Sequence, residues 1–354
     1  MIPQTRATAA VRDGLVVVVA GLGAGFVTAA VASLVYRPRG HVGSALDWLR
    51  IAGYLLAMAV GAPLQVHSGA DRGELRLVPL TVTAVVVLVA LRRGRSGGNP
   101  AVAGLTAGLA VSLICVLTTS RLHSYGHRLQ LDYSVPALTA GVGAGIVVGV
   151  ACGLAGRIRG GWARAVAGAL TSAAVVGTAA ALTAIGLVAW KFPAKALGAA
   201  PALLGDGAGW LGGFSMGGRL DANLSSPIPF LSGDLGWGLI TGAAWPGAYA
   251  LVLVPLAAAV IGGIRQQQHA SPEVRPWAEF GRAVAVNAAL WFTIAEATRL
   301  RFSGHLGADA LSGSAGLGVT TTVFVAALWG GVGAVAGLAL GPVRLRRRWP
   351  RSCR

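Results

Sequence analysis

His123 and His127 stand four residues apart. On a helix that spacing would aim both imidazoles at one ligand, and Asp132 or Asp309 would complete a metal shell. Tyr125 and Gly126 between them favour a loop, and no His-Glu-x-x-His pattern occurs. The expectation is therefore a pair of solvated or headgroup-level histidines. His67 and His305 fall on the same expected side, and a pH-responsive outer face is a further reading of these histidines. Glu296 is the one acidic residue well inside an apolar run, with Asn287 nine residues before it. An ionisable group at membrane depth is costly and is a functional candidate by default. Glu296 also lies within a turn of Arg299 near the end of its run, so an ion pair is expected there, as between Asp47 and Arg50. Cys115, Cys152 and Cys353 have neither metal-ligand nor disulfide spacing. The sequence holds no Walker A, Gly-x-Ser-x-Gly or Cys-x-x-Cys motif. No enzymatic activity, cofactor or metal centre is expected.

The elements that must position these groups are apolar. Of 354 residues 55% are hydrophobic and only 12% charged, too few charges to cover a water-soluble fold of this length. Basic residues outnumber acidic ones by 29 to 12, but they sit in short arginine clusters between apolar runs, which argues against nucleic acid as a partner. The runs extend over 14–36, 48–66, 75–91, 101–119, 135–156, 162–190, 237–264, 283–300 and 317–341. Each approaches the ~20 residues a membrane-crossing helix needs. Trp48, Trp162, Trp190 and Trp237 mark their ends, where indole rings favour the headgroup level. The fold expected is an all-α transmembrane bundle of about nine helices, one membrane domain over residues 1–354.

Charge placement orients that bundle. With nine crossings, the Arg92-Arg93-Arg95 and Arg157-Arg159 clusters share a side with the tail at 342–354, which positive-inside reasoning puts in the cytoplasm. The amino terminus would then lie outside. A signal peptide over residues 1–32, with Ala30-Val31-Ala32 as its cleavage-like site, would invert this order and export the arginine clusters. Residues 191–236 form the longest connection, and the apolar stretch 194–216 within it is read as an interfacial or re-entrant segment on the outer face. If it spanned, the tail would move outside.

Small residues supply the clearest packing motif. Gly141, Gly145, Gly149 and Gly153 recur every fourth residue, which places them on one helix face and lets a neighbour approach to backbone contact. Similar spacing links Gly21, Gly25 and Ala29, and also Gly333, Gly337 and Gly341. An internal repeat is suggested by Leu77-Val78-Pro79-Leu80-Thr81 and Ser134-Val135-Pro136-Ala137-Leu138-Thr139, which open two runs after loops with alternating leucines. Duplication of a two-helix unit is one reading; ordinary proline chemistry at a helix entry is the other.

The segments at 77–81 and 129–133, 197–205 followed by Gly209-Trp210-Leu211-Gly212, and Gly304-His305-Leu306 through Gly330-Gly331-Val332-Gly333 resemble, in that order, the streptophobe family of very hydrophobic actinobacterial membrane proteins. Use of 27 Arg against two Lys suits such a high-GC source. The resemblance implies a polytopic membrane protein and supplies no activity or site residue. Expected partners are the lipid bilayer and a second copy or another membrane protein. The function expected is that of a non-enzymatic scaffold or modulator. The alternative is a small-solute or ion transporter or channel, which would need a polar path near the midplane.

Overall fold

Among the described residues each long apolar run contains a helix, but two of the helices stop part-way along the bundle. The computed structural model describes residues 2–35, 45–68, 71–95, 97–118, 132–191, 203–226, 232–238, 251–268, 275–306 and 309–347. Five helices there are long and apolar enough to cross a membrane. They are α1 (Ile2–Val35), α4 (Pro100–Thr118), α5 (Ala137–Arg157), α6 (Gly160–Lys191) and α10 (Val319–Arg347). Five more complete the described helices: α2 (Ala45–Ala59), α3 (Leu80–Gly94), α7 (Ala208–Ser215), α8 (Leu253–Gln267) and α9 (Pro276–Ala297). A π-helical turn, Leu203–Gly207, precedes α7. The expectation of nine helices and no strands is corrected on both counts, because seven strands are also present.

The path of α2 explains the miscount. Gly21 and Gly25 of α1 touch Leu56 and Ala52, so α2 runs antiparallel to α1. Gly53 meets Thr118 at the end of α4, whereas Val60 meets Gly143 well inside α5. The helix therefore enters from the end of the bundle where α4 finishes and stops part-way. Gly61, at φ +91°, then reverses the chain in a conformation that side chains resist, and Pro63 leads outward into β1 (Leu64–Ser68). α7 does the same. Gly209 touches Thr298 beyond α9, Gly212 touches Trp291 further down that helix, and Gly217 at φ +102° turns the chain back into β4 (Arg219–Ser225). Of the stretch 194–216, read from sequence as interfacial or re-entrant, residues 203–216 are described, and they form this π-helical turn and short helix.

These two dips reveal a duplication larger than a two-helix unit. Each half holds a long rising helix (α1, α6), a short helix that stops part-way along its neighbours (α2, α7), a β-hairpin, a descending helix (α3, α8), a rising helix (α4, α9) and a final descending helix (α5, α10). α1 packs on α3 and α4 as α6 packs on α8 and α9, and α4 packs on α5 as α9 packs on α10. The buried cores divide the same way, one over residues 17–152 and the others beyond residue 175. The sequence carries the trace. Leu77-Val78-Pro79-Leu80 leads into α3 and Leu253-Val254-Pro255-Leu256 begins α8, while Arg121-Leu122 with Gly126-His127 matches Arg299-Leu300 with Gly304-His305.

The ends of the bundle differ in character. Ala10 touches Gly98, Asp13 pairs with Arg93 at 3.7 Å, and Gly14 touches Ala103, so the start of α1 lies beside the Arg92–Arg95 cluster. Gly337 near the end of α10 touches Gly263, close to the end of α8. The start of α1 and the end of α10 therefore belong to this arginine end, whereas a count of nine crossings places them apart. At the opposite end, helices continue almost directly into strands: α9 into β6 (Leu300–Leu306), and β2 (Asp71–Arg76), β3 (Asp132–Ser134) and β7 (Asp309–Leu317) into α3, α5 and α10. With β5 (Gly233–Gly238) they form one antiparallel sheet in the order β3-β1-β2-β6-β7-β4-β5. The β2–β6 ladder joins the two halves. A second joint lies at the π-helical turn, where the Asp206 carboxylate accepts from the Leu80 amide at 3.3 Å, and burial pushes its pKa up to about 6 against that hydrogen bond.

Candidate functional site

Residues directly opposite one another in an antiparallel ladder share a face, so the register sorts the sheet. One row reads Ser134, Gln65, Glu74, Ser303, Ser312, Ser225. The next reads Arg76, Arg301, Ser314, Asn223, Asp234. A third sets His67, Arg72 and His305 side by side, with Ala310 after them. The opposite face carries Leu64, Leu75, Phe302 and Leu224, then Leu300, Ala315, Ala222 and Leu235, then Leu317, Leu220 and Trp237. Gly313 sits under Phe302, whose ring occupies the space a Cβ would need. The sheet is thus sharply two-faced, and its polar face extends across both halves of the chain.

Over β4–β7 that face forms a groove of about 640 Å3, within the size range of small-ligand sites. Asn223, Ser225, Ser232, Asp234, Arg299, Arg301, Ser312 and Ser314 line it. The Ser314 amide and hydroxyl both donate to Asn223 Oδ1, at 2.9 and 3.0 Å, which turns the Asn223 amide nitrogen free for another acceptor. Arg301 donates to Glu296 at 2.9 Å. Arg299 and Asp234 have no side-chain partner among the described residues.

The residues singled out from sequence fare unequally. Glu296 pairs with Arg301 rather than with the expected Arg299, because β6 brings Arg301 back over the end of α9 while Arg299 turns into the groove. Asp47 and Arg50 do pair, at 3.6 Å, but α2 begins at the sheet end and not beside the arginine clusters. Asn287 donates to its own helix at Ala283 O (2.9 Å) and borders a void of about 10 Å3, scarcely one water. His123 and His127 lie outside the described residues, and among the described ones no three His, Cys, Asp or Glu side chains gather closely enough to hold a metal ion. Gly141, Gly145 and Gly149 face Gly104 and Gly108 of α4, and Gly153 faces Pro100.

Sequence reasoning missed the most enclosed charge among the described residues. Glu279, which lies between the expected apolar runs 237–264 and 283–300, is 1% exposed at the arginine end. Its Oε1 accepts from Arg164 Nη2 at 2.9 Å and from Arg282 Nη1 at 2.8 Å, and its Oε2 accepts from Gln266 Nε2 at 3.1 Å. These donors come from α6, α8 and α9, so one carboxylate clamps three helices. The Asp13–Arg93 pair holds α1 to α3 at the same end of the other half. Comparison with known protein families, with curated proteins and with solved structures finds no match for this chain.

Proposed function

We propose that this chain is a non-enzymatic, multi-pass protein of the cytoplasmic membrane that presents the polar face of its sheet outside the cell as a platform for a membrane-associated partner. The observation that carries this reading is the run of polar cross-strand rows, continuous over both halves and backed by an apolar face. Orientation rests on charge. Segments that connect or extend helices at the arginine end hold 17 of the 29 basic residues and three of the 12 acidic ones; those at the sheet end hold 12 and nine. The arginine end is the cytoplasmic one, and both termini lie with it.

A transporter is the second reading, favoured by the two re-entrant helices, since broken helices build substrate sites in such proteins. Here the carbonyls at their inner ends are engaged by the protein itself. The Thr83 hydroxyl donates to Ala59 O at 3.0 Å, and Trp329 Nε1 donates to Met216 O at 3.0 Å. The tight helix contacts around Asn287 also speak for the platform. Its test is a single cysteine at Ser314 in a chain whose native cysteines are replaced by serine. A membrane-impermeant maleimide should label S314C in intact cells and leave N99C untouched; the reverse pattern sinks the proposal.

A further inference from the structure

Among the described residues the groove over β4–β7 holds one cation and one carboxylate without a side-chain partner, with neutral hydrogen-bonding groups between them, and it lies close to the bilayer. Arg299 follows α9. From Trp277, 83% exposed at the other end of that helix, to its last residue Ala297 is 20 residues, about 30 Å of helix, matching a hydrocarbon core of roughly 30 Å, and Arg299 stands two residues on. Arg299 is thereby set at the headgroup level. Trp237, 46% exposed on the opposite, apolar face of β5, belongs at the same level, where indole rings favour the interface.

Charge complementarity then selects a ligand class. Arg301 is already neutralised by Glu296, so the groove does not present a doubly cationic site to a simple anion. A guanidinium free to form paired hydrogen bonds suits a phosphate. Across the strands Asp234 suits an ammonium group, and Asn223 and Ser312 offer donors and acceptors to the ester oxygens between. We infer that this groove binds the phosphoethanolamine headgroup of an outer-leaflet phospholipid, with the phosphate at Arg299 and the ammonium at Asp234. The inference rests on the outward orientation proposed above.

Native mass spectrometry of the full-length protein, delipidated in mild detergent and titrated with palmitoyl-oleoyl phosphatidylethanolamine, tests it. Parallel titrations use the phosphatidylglycerol analogue and free phosphoethanolamine. The ethanolamine lipid should bind about tenfold more tightly than the glycerol lipid, the scale of one charge-assisted contact. R299Q should weaken both lipids. D234N should weaken only the ethanolamine lipid, again about tenfold, and both variants should keep the parent melting temperature because the sites are at the surface. Equal binding of the two lipids, or unchanged ethanolamine binding in D234N, overturns the proposal. Free phosphoethanolamine competing at the same concentration as the lipid overturns the lipid as its source. Labelling of S314C separates the two levels. If it is labelled from outside but no lipid preference appears, the headgroup site falls and the platform stands; if it is protected, the platform itself falls.

Discussion

Glu279→Gln should destabilise the protein by about 3–5 kcal/mol, the scale for breaking a buried ion pair by removing one partner. The variant keeps the shape of the side chain and removes the charge, leaving the Arg164 guanidinium, 17% exposed, facing Arg282 with no anion between them. Thermal unfolding in detergent should show a fall on the order of 10 °C. The exposed pair provides the contrast. Arg301→Gln removes the partner of Glu296 at the surface, where such pairs contribute about 0–1 kcal/mol, and should leave the midpoint nearly unchanged. A second substitution, Arg164→Gln in the Glu279→Gln background, should recover part of the loss, because it removes the cation left uncompensated. Equal, small effects at Glu279 and Arg301 would show that the three-helix clamp does not hold the arginine end together.

The next largest effect is steric. A Cβ on Gly104 would lie 2.5 Å from the Gly145 carbonyl oxygen and 3.0 Å from Gly149 Cα. Neither is a flexible side-chain tip, so α4 and α5 must separate along the whole glycine face. Gly104→Val should therefore cost at least the ~1–3 kcal/mol of an overpacked core, and the loss of helix contact in lipid adds to it. Gly177→Ala and Gly186→Ala are the controls. Nothing lies within 4 Å of a Cβ at either position of α6, so both should be neutral or slightly stabilising, by about 0.5 kcal/mol. Melting temperatures of the three variants, read together, separate close helix approach from a general intolerance of glycine replacement.

The sequence made the helices legible because a crossing helix must be apolar over its length, and that requirement is local. It did not separate a helix that crosses from one that dips. α2 has the hydropathy of a span and, at 15 residues, the length of α3 and α8, so only the Gly61-Ala62-Pro63 break after it distinguishes the two. The strands were hidden for a related reason. Leu64 and Val66 looked like the end of one apolar run and Leu317 like the start of another, while Leu300-Arg301-Phe302-Ser303 alternates too briefly to register beside helices of 20 residues and more. The alternating leucines at 75/77 and 129/131 were visible, yet a two-residue period gains meaning only once a partner strand fixes its register. The same holds for the groove. Arg301, Ser314, Asn223 and Asp234 come from four different strands, and no spacing in the sequence links them. Glu279 shows the converse: it lies four residues before Ala283, where the expected apolar run begins, so its burial depended on Arg164 and Gln266 arriving from other helices.

On the function proposed above, α2 turns back at Gly61 without crossing, and the two termini lie on one side of the membrane. Protease-cleavable epitope tags at both ends of the full-length chain, probed in spheroplasts before and after lysis, test this most directly. Both tags should resist external protease until the membrane is broken. Cleavage of the amino-terminal tag on intact spheroplasts, with the carboxy-terminal tag protected, would contradict it and restore nine crossings.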